Sequence, residues 1–474
     1  MKTINRAVYA SSACISNVLI YAVLGLVTIL IIGFSISPLI AISIIYVLTV
    51  GFAIKNDKNT FIYFLIFVFL QNLVMVLLAN KFTGSETTLF MISKELMLYG
   101  CFAIHFMRKQ TIDKLEVCFI VYLLVLAVSF FMSDAAMYSR VVAARQLCLP
   151  LMCIFFGYHL TVGERDMKKI EGFILKFCLA VGIIGLIEVF ILGDDFWQIL
   201  PLEQFNINKG TDFNRYNGVP VNFYTWDYVS IVGKPLRRMA SFFADPLMTG
   251  GMLFTGIVIA DNFRKNSKIK GKYILAELFL IACGFLTLSK GYYVAILVFF
   301  GMKIFVNFGY KRMKKAMQTV IAMLLCAIIG GKILLKVLPH SSTTIHLSGL
   351  YNGISNGTLL GNGLGKAGII ANKLTGLEEN LAAESFIGVL LAQIGYVGLA
   401  VFIFIMGSFI WSGIKNYCKY KDIRLYNYSV MIIAVLCQSL FSESSIGIVV
   451  TGTSFILLGL VVREAKERAK NEET

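Results

Sequence analysis

Hydrophobic residues in this chain come in long unbroken runs, not in alternation or in one-sided stripes. About 20 apolar residues wound as a helix match the hydrocarbon thickness of a bilayer. Read with a window of that length, the sequence predicts helices near 14–33, 37–54, 60–79, 87–107, 115–132, 147–162, 170–192, 244–262, 273–288, 291–309, 316–337, 385–413, 428–445 and 447–462. The short hairpin pairs at the two ends set the range at about 12–14 spans. No segment alternates with the period of two that a transmembrane barrel needs, and backbone in hydrocarbon must be satisfied within each segment. The expected fold is therefore all-α, a polytopic transmembrane helix bundle. Residues 1–474 read as a single integral-membrane domain, with two long, partly helical external loops at 193–243 and 338–384.

Composition supports that reading. The chain is 58% hydrophobic and 15% charged, against roughly 45–50% and about 25% in soluble domains. A mean hydropathy of +0.78 needs apolar surface facing lipid. Lys2 and Arg6 before the first apolar run could mark a signal peptide, but no small-residue cleavage site follows. The run reads as an uncleaved span. The 10 Cys lie in or beside apolar stretches without CxxC or Cys/His ligand spacing, so neither a disulfide framework nor a metal site is expected.

The net charge of +16 would suggest nucleic acid in a soluble protein. Its distribution suggests a membrane instead. Loops and tails assigned to one side hold 27 of the 43 Lys and Arg, and the longer loops opposite hold 11. By the positive-inside rule both termini are cytoplasmic, and both long loops face out. No nucleic-acid partner is needed to account for the charge.

The loop 193–243 holds Phe196, Trp197, Phe205, Phe213, Tyr216, Phe223, Tyr224, Trp226 and Tyr228. An aromatic belt at the interface explains them, and so does a platform for stacking sugar rings. An outward-facing site sees no nucleotide pool, so bond formation there would draw on an activated donor delivered through the membrane. A polyprenyl diphosphate-linked sugar is such a donor, and it needs cations for the diphosphate and a base for the acceptor hydroxyl.

The cation candidates are Arg237 and Arg238, where the first loop enters a span, and Lys290, in a tight turn between two spans. Arginine forks bind phosphate oxygens in pairs, although interfacial anchoring would also place basic residues there. Of the four His, His105 and His159 sit toward cytoplasmic ends of spans and read as core residues, whereas His340 and His346 lie in the second loop. Composition does not separate those two. Gly361-Asn-Gly363-Leu-Gly365-Lys366 lacks a preceding strand and a following Ser or Thr, so it reads as a close-packing turn and not a P-loop. Whether its amides also approach a phosphate stays open. Lys94 and Glu95 lie within a span, where a buried structural pair is the simpler reading.

Taken in order, Arg-x-x-Ser-Phe-x-x-Asp-Pro from Arg238, Leu286-Thr-Leu-Ser-Lys290-Gly, a loop His, the Gly-x-Gly-x-Gly turn and Glu384-Ser before a span resemble the O-antigen ligase and Wzy-type polysaccharide polymerase superfamily. These are multi-pass glycosyltransferases of the bacterial envelope. The match runs from about Arg237 to Gly398. The resemblance implies that Arg238 or Arg237 and Lys290 bind the donor diphosphate, that His346 helps the acceptor hydroxyl attack, and that Glu384 supports it. Arg140 and Arg145 would steer the anionic donor. Arg238 is preferred because Ser241 follows at the third position. Lys290 departs from the Arg of many relatives and loses the fork.

The function implied is polymerisation of lipid-linked repeat units (O-antigen, capsule or exopolysaccharide) in the bacterial cytoplasmic membrane, with no cofactor. Its partners would be the polyprenyl diphosphate-linked oligosaccharide, membrane lipids, and a chain-length regulator and flippase of the same pathway. A ligase acting on lipid A core is the near alternative, and sparse motifs favour the polymerase. A lipid-linked oligosaccharide flippase is the alternative of another class. The motifs of elongation-type peptidoglycan polymerases are not found.

Overall fold

The structure is a computed structural model that describes residues 37–55, 57–108, 112–210, 213–319, 342–368 and 384–473. It is an all-α helical bundle. Among the described residues, eight helical stretches are long and apolar enough to cross a membrane. This is a membrane protein. The span expected at 14–33 lies outside the described residues, as does that at 316–337 apart from 316–319, which are helical.

The chain divides into two compact units. The first comprises residues up to 107 with 160–162 and 192–221. It contains α1 (Pro38–Lys55), α2 (Lys58–Leu77) and α3 (Gly84–Arg108). Asp57 starts α2 through a capping box with Thr60. The α1–α2 pair is joined where Phe52 stacks on Tyr63, with centroids 4.6 Å apart. Lys94 of α3 is buried and donates to Gln71 Oε1 of α2 at 2.6 Å. Asn208, at the end of the short helix Leu202–Asn208, bonds the carbonyls of Ala79 and Phe82 at 2.8 and 2.9 Å. The same unit holds a small hairpin, β1 (Arg215–Tyr216) with β2 (Val219–Pro220). Its turn is Asn217-Gly218, both at positive φ, a preferred two-residue hairpin connection.

The second unit holds the remaining helices. These are α4 (Lys114–Met132), α5 (Met137–His159), α6 (Glu164–Ile187), α7 (Pro246–Asn266), α8 (Lys270–Leu286) and α9 (Lys290–Lys303), then α10 (Ser342–Asn356), α11 (Phe386–Tyr420), α12 (Ile423–Ser439) and α13 (Thr453–Glu473). A second hairpin pairs β3 (Tyr224–Thr225) with β4 (Leu236–Arg237). Helices α5 and α13 meet at glycines. A Cβ on Gly157 would stand 2.1 Å from the Ile456 carbonyl oxygen, and one on Gly459 2.1 Å from that of Ile154. Small residues let membrane helices approach this closely, where hydrophobicity alone cannot drive association.

Of the boundaries that differ from the sequence expectation, three bear on the site. Helix α5 begins at Met137 and not near 147, which puts Pro150 inside it. Neighbouring groups in a membrane bundle can take up a carbonyl that proline frees. Helix α12 ends at Ser439, and the polar run Ser442-Glu443-Ser444-Ser445 forms a turn before a π turn at Ile448–Gly452 leads into α13. Helix α11 runs on to Tyr420 but is broken at Gly395, where φ is +68° and ψ −170°.

The break at Gly395 frees backbone groups, and the segment before it takes them up. The N–H groups of Tyr396 and Val397 donate to the carbonyls of Thr358 and Leu359, both at 3.1 Å. A Cβ at Gly395 would lie 2.3 Å from the Gly361 nitrogen. Gly395→Ala should therefore cost roughly 1–3 kcal/mol in backbone strain before any clash. Gly407→Ala, with nothing within 4 Å, should be neutral or slightly stabilising. Thermal unfolding of the two variants in detergent checks this, and equal midpoints would contradict the role given to Gly395.

Candidate functional site

The two ends of the second unit carry different chemistry. At one end, charged side chains are paired with each other. His159 Nε2 bonds Glu116 Oε1 at 2.9 Å, Lys466 meets Asp113 at 2.6 Å, and Arg424 bridges Asp422 and Glu464 at 2.7 and 3.1 Å. Asp261 pairs with both Lys303 and Arg264. The motif stretches gather at the other end.

The stretch 237–241 lies along one face of α6, at positions 181, 185 and 188 of that helix. Ser241 Oγ donates to the Val181 carbonyl at 2.6 Å. Met239 fills the space left by Gly185, where a Cβ would be 2.3 Å from its sulfur. Glu188, in a π turn that follows α6, accepts from the backbone N–H of Ala240 and Ser241 at 3.0 and 2.8 Å. On its far side the stretch is tied to α8, since the Met239 N–H donates to the Leu286 carbonyl at 2.9 Å. Asp245 caps α7, accepting from the N–H groups of Leu247 and Met248, with Pro246 in the first turn. The Asp-Pro of the motif is thus a helix start.

The adjacent arginines have different partners. Arg237 Nη2 bonds Glu188 Oε1 at 2.7 Å, with side chains 15% and 2% exposed. Its guanidinium also lies over the rings of Phe223 and Tyr224, 4.9 and 5.6 Å from their centroids. Arg238 donates from Nε to the Thr287 carbonyl at 2.9 Å and from Nη1 to that of Asn222 at 3.2 Å. Among the described residues it makes no ion pair within 4 Å. Burial lowers its affinity for the proton, opposed by the carboxylates of Asp245 and Asp227. It is a partly desolvated cation whose close partners are neutral.

Lys290 stands on the same turn. Thr287, which receives Arg238, bonds Gly284 through its hydroxyl at 2.7 Å, Leu288 adopts φ +46°, and Ser289 caps α9 through its side chain. Lys290 opens α9, and its Nζ meets Asp227 Oδ1 at 3.0 Å, with side chains 39% and 28% exposed. Four of the six non-glycine residues at positive φ among the described residues, Ser241, Ala244, Leu288 and Glu384, fall in motif stretches. Strain of this kind persists where surrounding structure over-determines the backbone.

The glycine turn lies against the loop between α4 and α5. Cβ atoms on Gly363 and Gly365 would meet the backbone of Ser133 and Ser139 at 2.8 and 2.9 Å. The amides of residues 362–365 are engaged. Those of Asn362 and Gly363 donate to the Ala392 and Gln393 carbonyls at 2.8 and 3.2 Å, and that of Leu364 to Ser129 at 3.2 Å. The Gly365 amide donates to the Gln393 side chain at 3.0 Å. A phosphate would have to displace protein acceptors, so the turn serves packing. Lys366 pairs with Asp134 at 2.6 Å and, mainly through that hydrogen bond, holds its carboxyl below the usual range.

Arg140, on α5, donates to the carbonyls of Ala135 and Phe130 at 2.6 and 3.4 Å. Arg145 is half-buried on the same helix. Glu384 has φ +66°, and its carbonyl accepts from the Glu443 N–H at 3.1 Å. Ser385 then caps α11. His346 is on α10, one turn before Leu350, whose backbone approaches Gly388 of α11. The His346 side chain, and the whole of His340, lie outside the described residues. Of the aromatic residues in the first loop, Trp197, Phe205 and Phe223 are buried and Trp226 is exposed.

Among the described residues, four carboxylates not singled out in the sequence belong to this end: Asp134, Glu188, Asp227 and Glu443. Glu443 is buried, accepts from Gln146 Nε2 at 2.7 Å and packs against Gly368. Glu188 and Glu443 interrupt predicted spans, the signal that marked Lys94 and Glu95. Compared with known proteins, the chain matches no family model and no curated protein.

The contrast between the arginines is measurable. Arg237→Ala strips a buried carboxylate of its cation and should cost about 3–5 kcal/mol. Arg238→Ala removes bonds from a half-buried guanidinium to two carbonyls and leaves no buried charge unpaired, so it should cost less, about 1.5–3 kcal/mol. Thermal unfolding at matched lipid content checks the order, and a larger loss for Arg238→Ala would contradict it.

Proposed function

We propose that this chain is a membrane glycosyltransferase that polymerises lipid-linked oligosaccharide repeat units at the outer face of a bacterial cytoplasmic membrane. The observation that carries the reading is the placement of Arg238 and Lys290 around the Thr287–Ser289 turn, with Arg238 partly desolvated and bonded only to carbonyls. A guanidinium with an uncommitted donor edge suits paired phosphate oxygens, and low dielectric strengthens the attraction. Asp227, which meets Lys290, would yield that lysine when a dianionic group arrives.

In this reading the acceptor hydroxyl attacks the anomeric carbon of the donor glycan. The new carbon–oxygen bond forms as the bond to the diphosphate breaks, and polyprenyl diphosphate leaves with the electron pair. Arg238 and Lys290 stabilise the growing negative charge. The hydroxyl proton passes to His346, with Glu384 in support, and Arg140 and Arg145 favour approach of the anionic donor. Arg237 is left to a structural part by its bond to Glu188.

Removing one charge-stabilising donor typically costs about 10²–10³ in rate. Arg238→Ala should lose polymer to that extent, and Lys290→Met should be nearly inactive while Lys290→Arg retains activity. Polymer length at matched protein level measures all three. Equal polymer from the Met and Arg variants at 290 would remove Lys290 from the site, and full-length polymer from Arg238→Ala would overturn the reading.

A further inference from the structure

We infer that Glu188 is the positioning residue that presents Arg238 to an anionic headgroup, an inference that rests on the reading of Arg238 as a diphosphate contact. Glu188 is 1% exposed, and a carboxylate removed from water persists only with strong partners. It has three. One oxygen accepts from the Ala240 and Ser241 amides, and the other from Arg237 Nη2 at 2.7 Å.

Those bonds fall on both sides of Arg238. After it, the amides of 240 and 241 are fixed. Before it, Arg237 is held by Glu188 and turns its Nη1 back to the carbonyl of Arg238 itself, at 2.8 Å. The Arg238 N–H donates in turn to the Phe223 carbonyl at 2.8 Å. The backbone of Arg238 is thereby bonded at its N–H and its C=O, and only its side chain remains to rotate. That side chain is aimed by the Thr287 and Asn222 carbonyls.

Helix α6 sets the carboxylate's place, since Glu188 still has helical φ and ψ. Helix α6 presents Val181 and Gly185 to the 239–241 stretch, and the wider turn at Glu188–Leu192 begins where the carboxylate is used. Glu188 follows Val181 by seven positions and Gly185 by three, the spacing that keeps all three on one face of the helix. Glu188 touches no ligand in this account. It acts through Arg238.

The test measures equilibrium binding of farnesyl diphosphate to the full chain in lipid nanodiscs, for wild type, Glu188→Ala, Glu188→Gln, Arg238→Ala and the Glu188→Ala/Arg238→Ala double variant. Glu188→Ala should weaken binding about tenfold, and in the Arg238→Ala background the same change should add less than about twofold, since coupled residues are not additive. Glu188→Gln keeps an oxygen for the two amides and should fall between wild type and Ala. It also carries the comparison if the Ala variant does not fold. Wild-type affinity in Glu188→Ala alongside loss in Arg238→Ala would overturn the role of Glu188 and leave the diphosphate contact standing. So would single effects that multiply in the double variant. No binding to wild type would overturn both.

Discussion

A backbone N–H or C=O in hydrocarbon has only the protein to bond to. Regular helices meet that constraint by themselves. The second unit departs from regular helix at one end, at the Gly395 break, the 361–368 turn, the Leu288 turn and the π turn after α6, and each departure is answered by a specific partner. The break is met by Thr358 and Leu359, and the glycine turn by Gln393 and Ser129. The 240–241 amides are met by Glu188. Irregular backbone is tolerated at membrane depth where it is buried in protein or lines a cavity, and Arg238, Glu384 and the glycine turn fall on irregular segments, whereas Lys290 opens a helix and His346 lies within one.

The opposite end shows what cations do when no ligand site is being built. Arg424, Arg463, Lys466 and Arg468 each face a carboxylate, and the pairing lets charges stay near apolar surface without paying the full desolvation cost. Arg237 follows that rule through Glu188. Arg238 does not, since its side chain bonds carbonyls, and that difference between neighbours in sequence is what supports the proposed division of labour between them.

Most helices were legible because uninterrupted apolar length is a direct signal for a span. Their ends were less so. The start of α5 at Met137 is hidden by Arg140 and Arg145, which read as loop residues until the structure shows them bonding or packing along the helix. The Asn217-Gly218 hairpin carried its signal in plain view, masked by its position in a loop read for aromatics. For the site, spacing favoured Arg238 over Arg237 only by resemblance, because nothing local distinguishes two adjacent arginines. What separates them is Glu188, 49 positions before Arg237. A contact of that sequence separation has no local signature, although a carboxylate closing an apolar run was itself a flag.

The account comes down to whether the irregular end of this bundle makes a glycosidic bond. The most direct measurement is to supply purified protein in nanodiscs with a polyprenyl diphosphate-linked repeat unit and no nucleotide sugar, then separate the products by mass. The account predicts a lipid-linked product carrying two repeat units together with free polyprenyl diphosphate. Recovery of the substrate as single units, in a preparation that instead moves it intact across a sealed bilayer, would contradict it.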